Sequence, residues 1–575
     1  MTAQPQPLVQ PSTERKTVQI HWPDGRFFEA PVGATVGTFI NAVETRAENH
    51  PLTVAALVDG GLRELTFPLT RDANLTPITT AAEDGIRIYR RGLTFLLVAA
   101  CLDLFPEAEV SVEHSIASGG FFCDVRGREN FSAADLEKLG AHMRRMVAAD
   151  LPITKEVMPL TEAVEMFRQR GDDDKVKLLA ERKKDYLVVY RLGPLTDYFH
   201  GYMVPSTGYL RLFGLQPAPP GFILQFPQRR SPTVVEPPRE HDRLLATFRE
   251  YSGWLDRLGV SDVGSLNEAI KSGRTSELIM VSEALHEQRI AQIATWIADG
   301  RGDNRLVLIA GPSSSGKTTF SKRLAVQLLA NGLHPFALAM DDYFLDRDKT
   351  PKDEKGEYDF ESIRALNLER FNTDLLALMA GDEVNLSHYD FKTGLSGRGE
   401  TIRLPRETVI VVEGIHGLNP ELVPQIPSER VMRIYASALT HLNLDRHNRV
   451  NTTDTRLIRR IVRDAATRGY SAANTLRRWE SVRRGETLHI FPYQDNSDVM
   501  FNSALVYELA VLRPLAEPLL LQVQPDTPEY VESKRLLALL SWFQPCATEA
   551  VPDNSIIREF IGGSILERFK MWGVG

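Results

Sequence analysis

The sequence predicts an α/β fold for the C-terminal half of the chain, a mostly parallel sheet with helices on both faces, preceded by two smaller α+β domains. Three observations predict it. From about residue 305, short apolar runs alternate with helical patterns, which is typical of parallel strands buried between helices. A glycine-rich loop follows the first of these runs. The first 215 residues instead mix strand, turn and helix patterns, beginning with the hairpin signal Asp24-Gly25.

The composition is that of an ordinary soluble globular protein. The chain has 575 residues, of which 43% are hydrophobic and 25% charged, and a net charge of −8. These values argue against a disordered or collagen-like chain and against a wholly basic nucleic-acid coat. The three cysteines (Cys101, Cys123 and Cys546) lack metal-ligand spacing, which argues against structural zinc and a disulfide framework. Without a long apolar run or an apolar signal segment, we expect a cytoplasmic protein with no membrane partner.

Shifts in composition divide the chain into six segments. Residues 216–240 contain seven prolines, which remove backbone donors, so we expect no regular element there and place a boundary in this stretch. Leu244, Phe248 and Tyr251 then recur at helical spacing. The predicted segments are a flexible tail (1–16), a first α+β domain (17–88), a second one (89–215), a proline-rich linker with helices (216–300), the α/β domain (301–525) and a helical extension (526–575).

Four apolar runs are predicted as the strands of the α/β domain. They span residues 305–310, 335–340, 408–414 and 432–437. The carboxyl ends of parallel strands meet at one edge of a sheet, where ligands bind. We therefore expect the side chains that follow these runs to form the functional site.

The most specific motif is the loop from Gly311 to Thr318, which reads GPSSSGKT and matches G-x-x-x-x-G-K-[ST]. An apolar strand precedes it and an amphipathic helix follows, a context that argues against a chance match in a surface loop. The loop backbone and the helix N-terminus would cradle phosphates, with Lys317 on the β- and γ-phosphates and the Thr318 hydroxyl on Mg²⁺. ATP and Mg²⁺ are the predicted cofactors of this P-loop NTPase domain. The predicted nucleotide contacts are Gly311, Ser313, Ser314, Ser315, Gly316, Lys317, Thr318, Thr319, Arg459 and Arg460.

Carboxylates follow the next two strands. Asp341 and Asp342 come directly after the run 335–340, and Glu413 lies at the end of the run 408–414. A carboxylate there can take a proton from an acceptor hydroxyl or hold Mg²⁺. We predict Asp341 as a catalytic residue, and Asp341, Thr318 and Glu413 as the metal contacts. The alternative role for Asp341 is a helix N-cap, which is also the favoured interpretation of Asp342. Glu413 stands where this type of site usually has an Asp, and its alternative role is to support the metal ligands without contacting the metal itself.

Arginines are concentrated in residues 446–484. This segment contains eleven arginines and only three acidic residues. Guanidinium groups match phosphate oxygens in geometry and charge. The eleven arginines are Arg446, Arg449, Arg456, Arg459, Arg460, Arg463, Arg468, Arg477, Arg478, Arg483 and Arg484. We predict a lid that closes on ATP, with Arg463 and Arg468 as catalytic residues beside Lys317. An RNA-binding patch and a solvated helix face are the alternatives.

Two aromatic and polar stretches lie between the Asp pair and Glu413. They read Tyr358-Asp359-Phe360-Glu361 and His388-Tyr389-Asp390-Phe391, and they can hold a base and sugar hydroxyls or simply pack. The predicted substrate contacts are Tyr343, Glu361, Tyr389 and His416.

Four ordered motifs carry a resemblance to a known group of kinases. GPSSSGKTT, MDDYF, VVEGIH and RLIRRIVRDAATRG together resemble the uridine kinase and phosphoribulokinase-like P-loop kinases over about residues 300–525. The resemblance implies that Asp341 is the acceptor-side base, that Glu413 lies by the metal and that the arginine-rich helix is the lid. Uridine kinases carry an F-D-H-P-D-A-like stretch that binds ribose hydroxyls. Here Phe360 is followed by Glu361, so Glu361 takes the place of that Asp and uridine is only one candidate acceptor.

The N-terminal part resembles other proteins. Residues 17–88 are similar to a TGS domain, and residues 89–212 to the second domain of threonyl-tRNA synthetase, on the strength of LFPEAEVSVEHSIASGGFFCDV and YRLGPLTDYFHGYMVPSTG. That domain edits mischarged tRNA with an H-x-x-x-H pair and a C-x-x-x-H pair. Counted from neighbouring residues, these pairs fall on Arg91 and Phe95 and on Phe199 and Met203, so the editing groups are absent.

Together these observations predict ATP-dependent phosphoryl transfer to a hydroxyl of a small-molecule acceptor, with a nucleoside preferred. The alternatives are an NTPase-driven regulatory or RNA-sensing protein that uses the synthetase-like modules, or a kinase of another sugar or sugar phosphate. A nucleic-acid partner that binds the TGS-like module is a further alternative. A homo-oligomer is also compatible with the sequence.

Overall fold

The computed structural model describes residues 15–44, 50–116, 119–128, 131–237, 242–299, 305–352, 356 and 358–569. Most of the predicted tail, residues 1–14, lies outside the described residues. The chain forms two compact units, Met1–Ala163 with Lys184–Arg239, and Val164–Lys183 with Glu240–Gly575. The division after Arg239 falls inside the predicted linker. No pattern in the sequence predicts that Val164–Lys183 belongs to the second unit.

The first unit begins with a five-stranded sheet. Its elements are β1 (Thr17–His21), β2 (Phe27–Pro31), α1 (Val36–Val43), β3 (Thr53–Val58), β4 (Gly61–Glu64) and β5 (Ala73–Thr79). The strand order is β2-β1-β5-β3-β4. Asp24 and Gly25 form the turn between β1 and β2, as predicted, and Gly25 has a φ of +88°. Val18 and Ile20 alternate with exposed neighbours in β1, so one face of the sheet is buried.

The rest of the N-terminal region contains a long helix and two further sheets. Its elements are α2 (Glu83–Leu104), β6 (Glu109–Ile116), β7 (Gly120–Arg126), α3 (Ala133–Ala148), β8 (Ile153–Pro159), α4 (Leu160–Arg170), α5 (Asp173–Leu179, in the second unit), β9 (Tyr186–Leu192), β10 (Leu195–Asp197), β11 (Gly214–Ala218) and β12 (Gly221–Gln225). The sheet orders are β10-β9-β8 and β11-β12-β7-β6. Thr94 to Leu97 of α2 are buried, which places this helix in the core.

One expectation for the proline-rich stretch is wrong. Residues 216–225 are not irregular, because β11 and β12 form a hairpin that turns at Pro219 and Pro220. The hairpin extends the sheet through β7, which leaves β11 at the edge. An edge strand tolerates Pro217 because its outer row of backbone groups needs no partner strand.

The second unit is built on a parallel sheet. Its elements after α5 are α6 (Asp242–Leu258), α7 (Val263–Lys271), α8 (Thr275–Ala298), β13 (Leu306–Ala310), α9 (Lys317–Ala330), β14 (Pro335–Ala339), α10 (Leu368–Ala380), β15 (Glu383–Asp390), β16 (Leu395–Arg403), β17 (Val409–Glu413), β18 (Val431–Ser437), α11 (Thr452–Arg468), α12 (Ala472–His489), β19 (Val499–Asn502), α13 (Glu508–Leu521), α14 (Tyr530–Leu540) and α15 (Arg558–Ile561).

The predicted fold class is confirmed. The main sheet has the order β14-β17-β13-β18-β19, and every neighbouring pair is parallel. Its first four strands in sequence are the four predicted apolar runs, and β19 is an addition. All five residues of β13 are buried, as expected of a central strand covered on both faces. Leu306 and Leu308 share a core with α10, and α9 also packs on the sheet.

Candidate functional site

The loop after β13 adopts the conformation that its glycines predict. A Cβ on Gly311 would lie 1.9 Å from the Ala436 carbonyl oxygen, so only glycine fits beside β18. Gly316 has a φ of +82° and Ser314 one of +58°, the left-handed region that glycine enters most easily. Gly316 precedes the first residue of α9. The loop therefore turns sharply into a helix N-terminus, where free N–H groups and the helix dipole favour an anion.

Three strand ends bring the predicted carboxylates to this loop. Glu413 is in register with Ile309 of β13 on one side and with Ala339 of β14 on the other. The Thr318 hydroxyl donates to Glu413 Oε1 over 2.8 Å. Asp341 follows β14 by two residues and is close enough to Glu413 for their charges to interact. The sheet thus places the P-loop, Asp341 and Glu413 along one edge, as the sequence predicts for parallel strands.

Burial and the charge of Lys317 shift the pKa values of both Asp341 and Glu413. Desolvation raises the pKa of Asp341 and that of Glu413, while the ammonium group of Lys317 opposes both shifts. Asp341 nevertheless remains accessible to solvent. An acid whose pKa is raised toward neutrality is a better proton acceptor when ionised. The geometry therefore suits Asp341 to take a proton from a hydroxyl group held beside Lys317.

The oxygen donors at this edge fit Mg²⁺. The Thr318 hydroxyl and the Glu413 carboxylate are hard ligands at hydrogen-bond distance from each other, and Mg²⁺ in phosphate sites is commonly held by one or two such groups plus substrate phosphates. Among the described residues, no group of three or more His, Cys, Asp or Glu side chains is arranged to hold a metal ion alone. Phosphate oxygens would therefore have to supply further ligands.

Lys317 is turned back onto its own loop. Its ammonium group donates to the carbonyl oxygens of Gly311 over 2.9 Å and of Pro312 over 3.2 Å. These are weak substitutes for a phosphate, because a charged oxygen is a stronger acceptor than a carbonyl. The side chain is long enough to exchange them for the phosphate oxygens that the motif predicts.

Three arginines of α11 contact the P-loop: Arg456, Arg459 and Arg460. Arg459 is fully buried and donates to Glu508, to Ser503 and, over 3.4 Å, to the Ser314 carbonyl oxygen. Its prediction as a nucleotide contact is corrected, because its donors already bond protein atoms. Arg460 donates to the Ser313 hydroxyl over 2.8 Å and is less deeply buried, so its contact with a nucleotide stays a prediction.

A buried ion pair holds the same loop from α12. Glu486 accepts from the Ser313 backbone N–H over 2.9 Å and from Arg456 over 2.8 Å, and Arg456 also donates to the Ser313 carbonyl oxygen. Both side chains are 2% exposed. Sequence reasoning gave Arg456 no separate role and missed Glu486. An acid within an arginine-rich helix is the only local signal that could have identified Glu486.

The two predicted catalytic arginines lie at Asp464. Arg463 donates to Asp464 Oδ1 over 2.9 Å, and Arg468 lies 3.6 Å from the same oxygen with half of its side chain exposed. The structure brings neither of them to the P-loop. Their action on a bound nucleotide stays a prediction that requires the end of α11 to move.

Two of the predicted substrate contacts belong to the hydrophobic core. Tyr343 is 1% exposed, stacks edge-on against Phe371 and donates its hydroxyl to Asp374 over 3.1 Å. Tyr389 is 2% exposed and packs against Phe344 and Phe391. Burial corrects their prediction as direct contacts. Asp342 holds this region in place by accepting from His388 Nδ1 and the Tyr389 N–H, so it is not a helix cap.

The other two predicted contacts, Glu361 and His416, are ionisable side chains with shifted pKa values. Glu361 interacts electrostatically with Lys317 and Arg460, but burial and the charge of Glu486 raise its pKa to about 7. His416 is 2% exposed, neither of its ring nitrogens has a hydrogen-bond partner in the described protein, and burial lowers its pKa to about 4. The ring of His489 lies 6.1 Å away. Glu361 thus has a carboxyl group that titrates near neutrality, and His416 has a neutral imidazole at that pH.

In the first unit, the four positions that replace the editing groups are packed together. Phe95, Phe199 and Met203 belong to the hydrophobic core, and the rings of Phe95 and Phe199 lie 5.0 Å apart. Arg91 donates to the Tyr202 carbonyl oxygen. Three of the four positions that the sequence assigns to lost editing groups are therefore occupied by apolar packing, and the fourth by Arg91.

Within the described residues, we find no helix with the length and apolar character needed to cross a bilayer.

Solved structures that align with part of this chain include two described as kinases. A structure described as a "Possible Uridine Kinase" from Bacillus stearothermophilus aligns with 37% of this chain and 98% of its own, at 21% identity and a TM-score of 0.26. D-glycerate 3-kinase from Cryptococcus neoformans aligns with 47% of this chain and 87% of its own, at 14% identity and a TM-score of 0.18. Scores this low carry no argument about function.

The N-terminal region is similar to curated threonine–tRNA ligases. That of Acidithiobacillus ferrooxidans is 34% identical over 201 residues, and that of Aromatoleum aromaticum is 32% identical over 197 residues. In each case the match covers 34% of this chain and 30% of the relative. The chain thus spans about a third of the length of these relatives.

The remaining similarity lies in the second unit. Residues 306–510 match the model of the Phosphoribulokinase / Uridine kinase family. This range includes the P-loop, Asp341, Glu413 and both arginine-bearing helices, while α14 and α15 lie beyond it. The resemblance predicted from the sequence is thereby confirmed for both parts: a segment similar to the phosphoribulokinase and uridine kinase family follows a segment similar to threonine–tRNA ligases.

Proposed function

We propose that this protein transfers the γ-phosphoryl group of ATP to a hydroxyl group of a small-molecule acceptor. The observation that carries the proposal is the meeting of the P-loop, Asp341 and Glu413 at one sheet edge, with the Thr318 hydroxyl 2.8 Å from Glu413. The match of residues 306–510 to the kinase family model supports it.

Each residue has a role that its position allows. Free N–H groups of the P-loop and α9 bind phosphate oxygens. Lys317 leaves the carbonyl oxygens of Gly311 and Pro312 to neutralise charge on the transferred group. Asp341 accepts the proton of the attacking hydroxyl. Thr318 and Glu413 would hold Mg²⁺, which supplies charge neutralisation on the phosphate oxygens when it is bound.

We further propose that the acceptor is uncharged and rich in hydroxyl groups, with a nucleoside as the preferred class. Glu361 lies beside Asp359, whose carboxylate accepts from the Glu361 backbone N–H over 3.2 Å. Such acidic groups accept hydrogen bonds from vicinal hydroxyls, whereas they repel a sugar phosphate. The neutral imidazole of His416 adds no positive charge that would attract an anion.

The test is an acceptor screen with ATP and Mg²⁺. Nucleosides, free sugars and sugar phosphates are offered, and ADP is counted against phosphorylated product. We expect one-for-one stoichiometry with an uncharged acceptor. Slow ATP hydrolysis that responds to RNA, without any phosphorylated acceptor, would instead favour a regulatory or RNA-sensing protein, the alternative that the similarity to threonine–tRNA ligases supports.

Asp341 and Asp342 provide a matched pair of variants for this screen. Asp341→Asn should lower kcat by roughly 10²–10⁴-fold because it removes the general base, with little change in ATP affinity. Asp342→Asn makes the same chemical change at a side chain that bonds to His388 and Tyr389, and we expect far smaller effects. Equal activities of the two variants would assign the base elsewhere.

A further inference from the structure

The last described residues of the chain pack directly on the P-loop. We define residues 551–569 as the C-terminal segment, which includes α15. The Ile556 side chain fills the space beside Gly316, where an added Cβ would lie 2.5 Å from Ile556 Cγ2. Lys322 of α9 donates to the Leu566 carbonyl oxygen over 2.7 Å. The segment is therefore attached to the loop and to the first two turns of α9.

One side chain of this segment is placed as a phosphate would be. Glu559 Oε2 accepts from the Thr319 backbone N–H over 3.2 Å and from the Thr319 hydroxyl over 3.0 Å. Thr319 is the third residue of α9, so its N–H has no partner inside the helix and is free to bind an anion. These two donors are among those assigned above to the nucleotide.

The charge of Glu559 also reaches the predicted metal position. It interacts unfavourably with Glu413, the partner of Thr318. A nucleotide that brings further negative charge to this place has to compete with Glu559 for Thr319 and is repelled by it. The hydrogen bonds of a carboxylate are strong ones, so the competition has a measurable cost in affinity.

We propose that Glu559 is a built-in competitor of the nucleotide phosphate, and that the C-terminal segment lowers nucleotide affinity until phosphate displaces it from Thr319. The proposal rests on the nucleotide site of the proposed function. It gives residues beyond the family match a role at that site. An interaction that holds the C-terminal segment away from Thr319 would therefore raise nucleotide affinity.

The first test measures ATP binding to the full-length protein by calorimetry in the presence of Mg²⁺. Glu559→Gln keeps the shape of the side chain and removes its charge, so we expect ATP to bind about tenfold more tightly. Glu567→Gln is the matched control, since Glu567 lies in the same segment and is exposed. Unchanged or weaker binding by Glu559→Gln would overturn the proposal, and weaker binding would make Glu559 a nucleotide or metal contact.

The second test needs no variant at Glu559. Hydrogen exchange of the wild-type protein is followed in peptides from residues 551–569, before and after addition of Mg²⁺ and ATP. Displacement predicts faster exchange in these peptides, and Lys317→Ala should abolish the effect together with binding. Exchange that stays the same or slows when ATP is bound would show that the segment is a fixed wall of the site, contrary to the proposal.

The two tests separate this proposal from the proposed function. ATP binding without phosphorylation of any acceptor would contradict the kinase, while the affinity of Glu559→Gln and the exchange rates would still decide the role of Glu559. If neither wild type nor Glu559→Gln binds ATP, Glu559 has nothing to compete with and the proposal is overturned.

Discussion

Glu361 has a pKa that lies within the ordinary range of assay pH. Burial and Glu486 raise its pKa to about 7, so its carboxyl group is protonated below that pH in the folded state but ionised above about 4.5 in the unfolded chain. The cost of ionising Glu361 therefore destabilises the fold increasingly as pH rises from about 4.5 to 7, and stays constant above. Glu361→Gln should be more stable than wild type at pH 8, by at most about 3 kcal/mol, and equal to it near pH 4.5.

Urea unfolding at several pH values measures this difference, with Glu567→Gln as a reference substitution at an exposed site. If the stability difference were independent of pH, Glu361 would not titrate in the fold.

The Glu361→Gln variant also tests the acceptor site. Because the ionised carboxylate accepts hydrogen bonds from hydroxyl groups, the wild-type KM for the acceptor should fall as pH rises through 7, and Glu361→Gln should remove that trend.

The positions of residues at the ends of the parallel strands were predictable from the sequence. Gly311, Thr318 and Asp341 come after strands that the apolar pattern identifies, and Glu413 ends another, so all four meet at one edge of the parallel sheet. The direction in which a side chain points was not predictable. Tyr343 is four positions beyond the end of β14, yet its hydroxyl turns into the core to reach Asp374.

At the scale of elements, α11 and α12 are joined to the P-loop through Arg456 and Glu486. Removing Arg456 leaves a buried carboxylate without its cation, a change that typically costs about 3–5 kcal/mol. Arg456→Ala should therefore lower the free energy of unfolding by this amount and weaken ATP binding, because Ser313 loses its support. Arg364→Ala is the control, since Arg364 pairs with Glu421 at the surface with 70% and 53% of the side chains exposed.

Chemical unfolding of the two variants, with ATP binding measured by calorimetry, checks this expectation. The surface pair should contribute no more than about 1 kcal/mol. Similar small losses in both variants would mean that Arg456 and Glu486 do not support the loop. The lid interpretation of the arginines concerned the nucleotide, whereas the structure uses Arg456 and Arg459 to position the loop itself.

The pattern of elements was predictable where periodicity is strong and failed where long-range pairing decides. The four predicted strands of the main sheet are correct because each is a continuous apolar run. β19 is only four residues long and became a strand by pairing with β18. The prolines of β11 and of the turn after it argued against a regular element, but β11 and β12 form a hairpin because β12 pairs with β7 and β11 lies at the sheet edge.

At the scale of the whole chain, two segments with different relatives are joined, and each unit has its own core. Local motifs identified both segments. They could not show that residues 164–183 join the second unit, or that the C-terminal segment packs on the P-loop, because such contacts join parts of the chain that no local pattern connects. Glu559 and Thr319 are 240 positions apart.

The N-terminal unit should be folded but unable to hydrolyse mischarged tRNA. Editing requires polar groups that position water against an ester carbonyl, and Phe95, Phe199 and Met203 offer none, while the charged Arg91 cannot act as a base at neutral pH. The packed rings of Phe95 and Phe199 also exclude the water. The full-length protein is incubated with Ser-tRNA(Thr), and a synthetase with intact editing pairs serves as the positive control. We expect ester loss at the spontaneous rate, since aromatic packing has replaced the groups that would accelerate it. Loss well above that rate would place a second catalytic centre in this unit, and Arg91→Ala would then show whether the guanidinium group takes part.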